Sequence, residues 1–99
     1  MSVTVPLSQP VKAHGDEITE LVLKAPTTKE IIEIGLPTLM IPGADGESVG
    51  IEIRQKVVAR YASRLAAVPM STIESLALPD WSAVQGAVMG FFGQGSGEA

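Results

Sequence analysis

The sequence predicts an α+β domain: an N-terminal β-hairpin or meander, then a short helix, a flexible loop and a three-helix C-terminal part. Three observations carry that prediction. Apolar residues alternate near the start of the chain, at Val3, Val5 and Leu7 and again at Leu21 and Leu23. From Gly50 onward they recur at helical spacing instead. Between the two regimes lies PGADGESVG, residues 42–50, whose Gly and Pro content marks a loop tip.

Each element has its own justification. VTVPL, residues 3–7, reads as a short strand, and Pro6, which has no N–H to give to a ladder, puts it at an edge or makes it irregular. Pro10 to Ala13 continue it. His14-Gly15-Asp16 is a turn, with Gly15 free to adopt positive φ. Glu17 to Lys24 form the second strand, with Thr19, Leu21 and Leu23 expected on one face. A two-stranded hairpin is marginal alone in water, so this one must pack on the helices or on another subunit.

Thr27 and Glu30 have capping-box spacing, in which each side chain satisfies a free backbone N–H at the other's position. The helix they open is expected to end near Gly35 and to bury Ile31, Ile32 and Ile34. Leu36 to Ile41 is apolar but interrupted by Pro37. Gly50 to Val68 is the longest periodic stretch, with Ile53, Val57, Tyr61, Leu65 and Val68 on one face and Val58 and Ala62 flanking them. Lys56, Arg60 and Arg64 line an adjoining stripe, and Glu52 stands four residues before Lys56, the spacing of a helical ion pair. Pro69 ends the helix. Ser71 and Glu74 have the spacing of a second capping box, opening the short helix STIESLAL.

The heaviest apolar stripe comes last. In LPDWSAVQGAVMGFFG, residues 78–93, helical numbering places Trp81, Val84, Val88, Phe91 and Phe92 on one arc. Asp80 is the candidate N-cap, Pro79 a helix-entry residue and Gly93 the stop. Such a stripe is most simply a core face, with a partner groove as the alternative. Gly86 and Gly90, on the opposite side, either admit a close backbone neighbour or soften the helix. Residues 1–93 are expected to form one domain and 94–99, QGSGEA, a disordered tail with nothing to bury.

Composition narrows the function classes. The chain has 99 residues, of which 45% are apolar and only 18% charged. A domain of this size hides only about two-thirds of its unfolded surface. Apolar side chains in excess of one small core favour self-association or a protein partner. The net charge is −4, and all seven Lys and Arg residues lie at or before Arg64. Nucleic-acid binding requires cations to replace phosphate counterions, which the last third of the chain lacks. The helix after Pro79 has no Lys, Arg or Asn to read phosphates or base edges, so a helix-turn-helix reading fails. The N-terminal residues do not have the pattern of a signal peptide, and no run approaches the about eighteen apolar residues of a membrane span. These features are those expected of a soluble, cytosolic chain.

Reactive chemistry is scarce. There is no Cys and one His, His14, beside a turn glycine, so neither a zinc site nor a catalytic imidazole is expected. Asp45-Gly46-Glu47-Ser48 lacks the spacing of a calcium loop. No phosphate-binding glycine motif, nucleophile elbow or His-Glu-x-x-His occurs. No catalytic residue, metal or cofactor is expected. The Lys56, Arg60, Arg64 stripe is either a solvated face or a contact for an acidic helix of a partner.

One ordered set of motifs is more specific. Val5-x-Leu7, Pro10-Val11, Gly15-Asp16-Glu17-Ile18, Leu21-Val22-Leu23-Lys24-x-Pro26-Thr27, and then Leu76 through Gly93 with Leu78-Pro79-Asp80-Trp81 and Phe91-Phe92-Gly93, resemble the phage tail assembly chaperone family of Mu-like and P2-like contractile-tailed phages. Residues 36–50 match no part of that pattern. The resemblance implies a small protein of the host cytoplasm, absent from the mature virion. It implies binding to the tape-measure protein, which is kept soluble, and help in recruiting tail-tube subunits. It also implies a longer product of a −1 ribosomal frameshift, through which the tail-tube protein would be met. Gly90-Phe91-Phe92-Gly93 can be encoded GGT TTT TTT GGN, an unbroken run of T on which a ribosome can slip. The candidate partner contacts are the exposed part of the stripe Trp81, Val84, Val88, Phe91 and Phe92, with Arg60 and Arg64 from the 50–68 helix, in a chain expected to form a homo-oligomer. A small structural protein of the virion tail is the alternative, and an interaction module of another kind the next.

Overall fold

The structure, a computed structural model, describes residues 2–42 and 49–93. Strand β1, Ser2–Ala13, and strand β2, Asp16–Lys24, form an antiparallel hairpin. Its tip is the two-residue turn His14-Gly15, with φ of +55° and +85°. Positive φ at both positions is what a tight turn needs if it is to match the right-handed twist of its strands, and Gly15 adopts it without steric cost.

The ladder breaks between Pro6 and Val11. Leu7 to Pro10 of β1 stand against Thr19 alone on β2, because Pro6 pairs with Glu20 and Val11 with Ile18. Prolines at both ends of this bulge have no N–H to keep the ladder in step. The excess is odd, so β2 changes face across it. Leu21 and Leu23 are buried on one side of the bulge, and beyond it Ile18 is the residue that turns in. Thr19, expected to face inward with Leu21 and Leu23, is exposed.

Helix α1, Thr28–Ile34, begins with the expected capping box: the Glu30 amide donates to Thr27 Oγ1, and the Thr27 amide donates to Glu30 Oε1 at 2.9 Å. Its isoleucines do not behave as expected. None is fully buried, and Ile32 is 78% exposed. Gly35 ends the helix at φ +95°.

The sequence 36–53 holds the largest departure. Thr38–Pro42 and Val49–Ile53 are strands β3 and β4, paired antiparallel as a second two-stranded sheet. Gly50 to Ile53 were expected to open a helix; Ile51 and Ile53 alternate, and the strand period prevails over the helical one that Ile53 shares with Val57. With Glu52 in a strand, its helical ion pair with Lys56 does not exist. The base of this hairpin is closed by the Arg54 amide, which donates to the Pro37 carbonyl at 2.7 Å. Part of the loop expected at 42–50, and the tail expected at 94–99, lie outside the described residues.

Helix α2, Gln55–Ala66, buries Val58, Tyr61, Ala62 and Leu65, the i, i+3, i+4, i+7 pattern of one helical face. It ends at Ala67, a non-glycine residue at φ +56°. Helix α3, Met70–Glu74, follows Pro69 and has no side-chain cap, so the Ser71–Glu74 capping box does not form. Thr72 is buried there instead, its hydroxyl donating to the Lys12 carbonyl at 2.6 Å. Helix α4, Leu78–Phe91, starts from Ala77. Asp80, the expected N-cap, lies inside the first turn, and Gly93 follows the helix at φ +77°.

One core unites these parts. Val5, Leu21 and Leu23 of the first hairpin meet the α2 face, Ile73 of α3, and Val84, Val88 and Met89 of α4. The helices therefore cover one face of β1–β2, as an isolated hairpin requires.

Candidate docking surface

A trough runs along the seam where α2 meets α3 and the start of α4. Its narrower part, about 370 Å³, is walled by Lys56 and Ala59 of α2, Met70 and Ile73 of α3, Leu76, and Leu78 and Trp81 of α4. Its wider part, about 810 Å³, is walled by Arg60, Ser63, Arg64 and Ala67 together with His14, Glu33 and Pro69. Met70 borders both.

The local sequence explains why apolar groups line it. Leu76 lies in the short link between α3 and α4 and is half-buried, and Leu78, the first residue of α4, is 78% exposed. Pro79 fixes the first turn of α4 and leaves Trp81 leaning on α2, where its indole N–H donates to Gln55 Oε1 at 3.1 Å. A polar tip anchored on an otherwise apolar ring is the usual habit of tryptophan at a surface.

Asp80 sets the geometry of that end. The β1 bulge leaves the Ser8 and Gln9 amides without strand partners, and the buried Asp80 carboxylate collects them. The Ser8 amide lowers the Asp80 carboxyl below its ordinary value of 3.8, helped by the Ser8 hydroxyl and the Gln9 amide and opposed by burial. The first turn of a helix is also where a negative charge is favoured. Across the molecule, the Tyr61 hydroxyl donates to the Gly35 carbonyl at 2.6 Å. Burial raises its pKa above 10.0, with the negative charge of Glu30 adding to the rise.

The candidate contact residues separate into three groups. Trp81 lines the narrow part of the trough, and Arg60 and Arg64 line the wide part. Val84 and Val88 have no exposed surface and belong to the core. Phe91 and Phe92 are half-buried against that core, with the Phe92 ring edge-on to Tyr61 at a centroid distance of 5.1 Å. Arg64 is held by Glu33 at 3.1 Å, and Glu33 also faces Lys29. Among the described residues, Lys56 and Arg60 have no carboxylate partner within ion-pair distance. A β-carbon built on Gly86 or Gly90 would meet nothing within 4 Å, so no close neighbour within the described chain uses them.

The sequence pattern singled out neither Leu78 nor Met70 as a surface residue; Leu78 falls where the predicted short helix STIESLAL meets the stretch 78–93. For Leu78 the signal was the run SLALP, residues 75–79, apolar side chains placed where α3 gives way to α4. Further large apolar groups are exposed elsewhere: Ile32, Leu36 and Ile51 at 78%, 56% and 62%. The expected surplus of apolar surface is therefore present.

A small domain with an apolar trough and a charged rim, and further apolar groups left in the open, belongs to the class that binds other polypeptides. Comparison with known families makes this particular: the chain belongs to the phage tail assembly chaperone proteins, E, or 41 or 14, whose family model matches residues 4–93. The match includes residues 36–50, for which the motifs above had no counterpart. No curated protein and no solved structure matches the chain. No described helix is long and apolar enough to cross a membrane.

Proposed function

We propose that this tail assembly chaperone binds the tape-measure protein of its own phage, covers that protein's apolar helical stripes and keeps it soluble until tail-tube subunits replace the cover. The observation that carries this reading is the exposure of Leu78 beside Trp81 in a trough between helices, where an apolar helix of a partner has room to lie. The family supports a role in assembly, through protein partners rather than through turnover of a substrate.

The protein acts in the host cytoplasm and leaves before the virion is complete. It self-associates through apolar surface outside the trough, around Ile32, Leu36 and Ile51. A longer −1 frameshift form, made at Gly90-Phe91-Phe92-Gly93, carries a second domain that meets the tail-tube protein.

Co-expression with the adjacently encoded tape-measure protein tests the central claim. The tape measure stays in the soluble fraction with this chain and precipitates without it; equal insolubility in both would refute the reading. A TTC codon for Phe91 or Phe92 would remove the slip site. Finding the chain in purified particles would favour the alternative of a structural tail component.

A further inference from the structure

The trough has a charge asymmetry that selects its occupant. Lys56, Arg60 and Arg64 follow one another at intervals of four along α2, so they form a single edge of the trough one helical turn apart. Arg64 is engaged by Glu33, whereas Lys56 and Arg60, which line the narrow and the wide part, have no carboxylate partner among the described residues. On the opposite wall of the narrow part the charged residue is Glu74. This basic edge belongs to a chain of net charge −4, whose residues beyond Arg64 contain no cation.

We infer that the trough takes an amphipathic helix of the tape-measure protein with carboxylates at i, i+4 spacing along one border of its apolar stripe. The apolar stripe lies on Met70, Leu78 and Trp81, and the carboxylates face Lys56 and Arg60. Helix α2, Gln55–Ala66, is about 18 Å long at 1.5 Å per residue, the length of roughly three turns of an incoming helix. The unequal walls fix which way round the helix lies: reversing it about its axis would bring its carboxylates against Glu74. The inference rests on the chaperone reading and adds to it the chemistry of the recognised segment.

Trp81 is the only tryptophan in the chain and lies in the trough, so its fluorescence reports occupancy. The probes are two synthetic 18-residue helical peptides that share one leucine stripe, with Glu along its border in one and Lys at the same positions in the other. The Glu peptide is expected to shift Trp81 emission to the blue and to bind about ten-fold more tightly at low salt, the effect of two or three surface ion pairs. The preference shrinks in high salt. In the full chain carrying Lys56→Glu and Arg60→Glu, the Lys peptide becomes the better ligand, a reversal that a merely unfolded variant cannot produce. Equal affinity of the two peptides, or an order unchanged in the double variant, overturns the inference. So does a dimer that Leu78→Glu dissociates, since a second copy would then own the trough. If the double variant solubilises the tape measure as well as the unaltered chain does, the trough assignment fails and the chaperone reading stands. If the unaltered chain fails to solubilise it, the chaperone reading fails whatever the peptides do.

Discussion

The Ser8 amide sits 2.9 Å from both carboxylate oxygens of Asp80, across 72 residues of sequence. The bulge in β1 exposes backbone donors, and the first turn of α4 supplies the acceptor. One side chain thereby fixes the last helix against the first strand. Because hydrogen bonds hold the Asp80 carboxyl below 3.8, its contribution to stability is complete above that value and is lost as pH falls through it toward the folded-state pKa. Asp80→Asn is expected to lower the denaturation midpoint at pH 7 and to flatten the acid limb of the stability profile below about pH 4. Chemical denaturation from pH 2 to 7 checks both; parallel profiles for the two proteins would assign the contact no energetic role.

Tyr61 gives the opposite limb. Its hydroxyl donates to Gly35, and its pKa is raised, so the stabilisation is full below pH 10 and declines as pH climbs beyond it. Tyr61→Phe is expected to cost about 1 kcal/mol at neutral pH, a typical net hydrogen bond. Denaturant titration at pH 7 and pH 10.5 should show the difference between the two proteins narrowing at the higher pH.

Core and trough can be separated by two leucines. Leu65 is 2% exposed and Leu78 is 78% exposed. Leu65→Ala is expected to destabilise the fold by about 3 kcal/mol through lost burial and a cavity. Leu78→Ser should leave stability within about 0.5 kcal/mol while impairing tape-measure solubilisation. Thermal melts alongside the co-expression assay distinguish them, and a destabilised Leu78→Ser would return that residue to the core.

Ala67 ends α2 in the left-handed region, where its β-carbon crowds the backbone. Its amide donates to the Arg64 carbonyl, and the Val68 amide donates to the Ser63 carbonyl at 3.1 Å, so the cap itself is well formed. Ala67→Gly keeps those bonds and removes the crowding. A gain of about 1 kcal/mol is expected in equilibrium unfolding; a loss would show that the methyl group packs usefully beside Val68.

Much of this was legible in the amino-acid order. Alternation located the first hairpin, turn chemistry located His14-Gly15, and the Thr27–Glu30 pair marked the start of α1 correctly. The face of α2 that carries Tyr61 and Leu65 was visible in its spacing. These are local properties, set by sterics and backbone hydrogen bonding within a few residues. The tail assembly chaperone family followed from the order of its motifs, and the match over residues 4–93 bears out that family, though not the narrower assignment to Mu-like and P2-like phages.

What only tertiary structure decided was the environment of each face. Val84 and Trp81 share one stripe, yet Val84 lies against the hairpin core while Trp81 borders the trough, and spacing assigns both the same direction. Asp80 reads locally as a cap; it became an anchor for β1 because a distant bulge left amides beside it. Ile51 and Ile53 joined a strand because Met40 and Thr38 were there to pair with them. Periodicity states which residues point the same way. Whether a neighbour stands there, and with what charge, depends on contacts between segments far apart in the chain, and that decided what was buried and what was left to meet another protein.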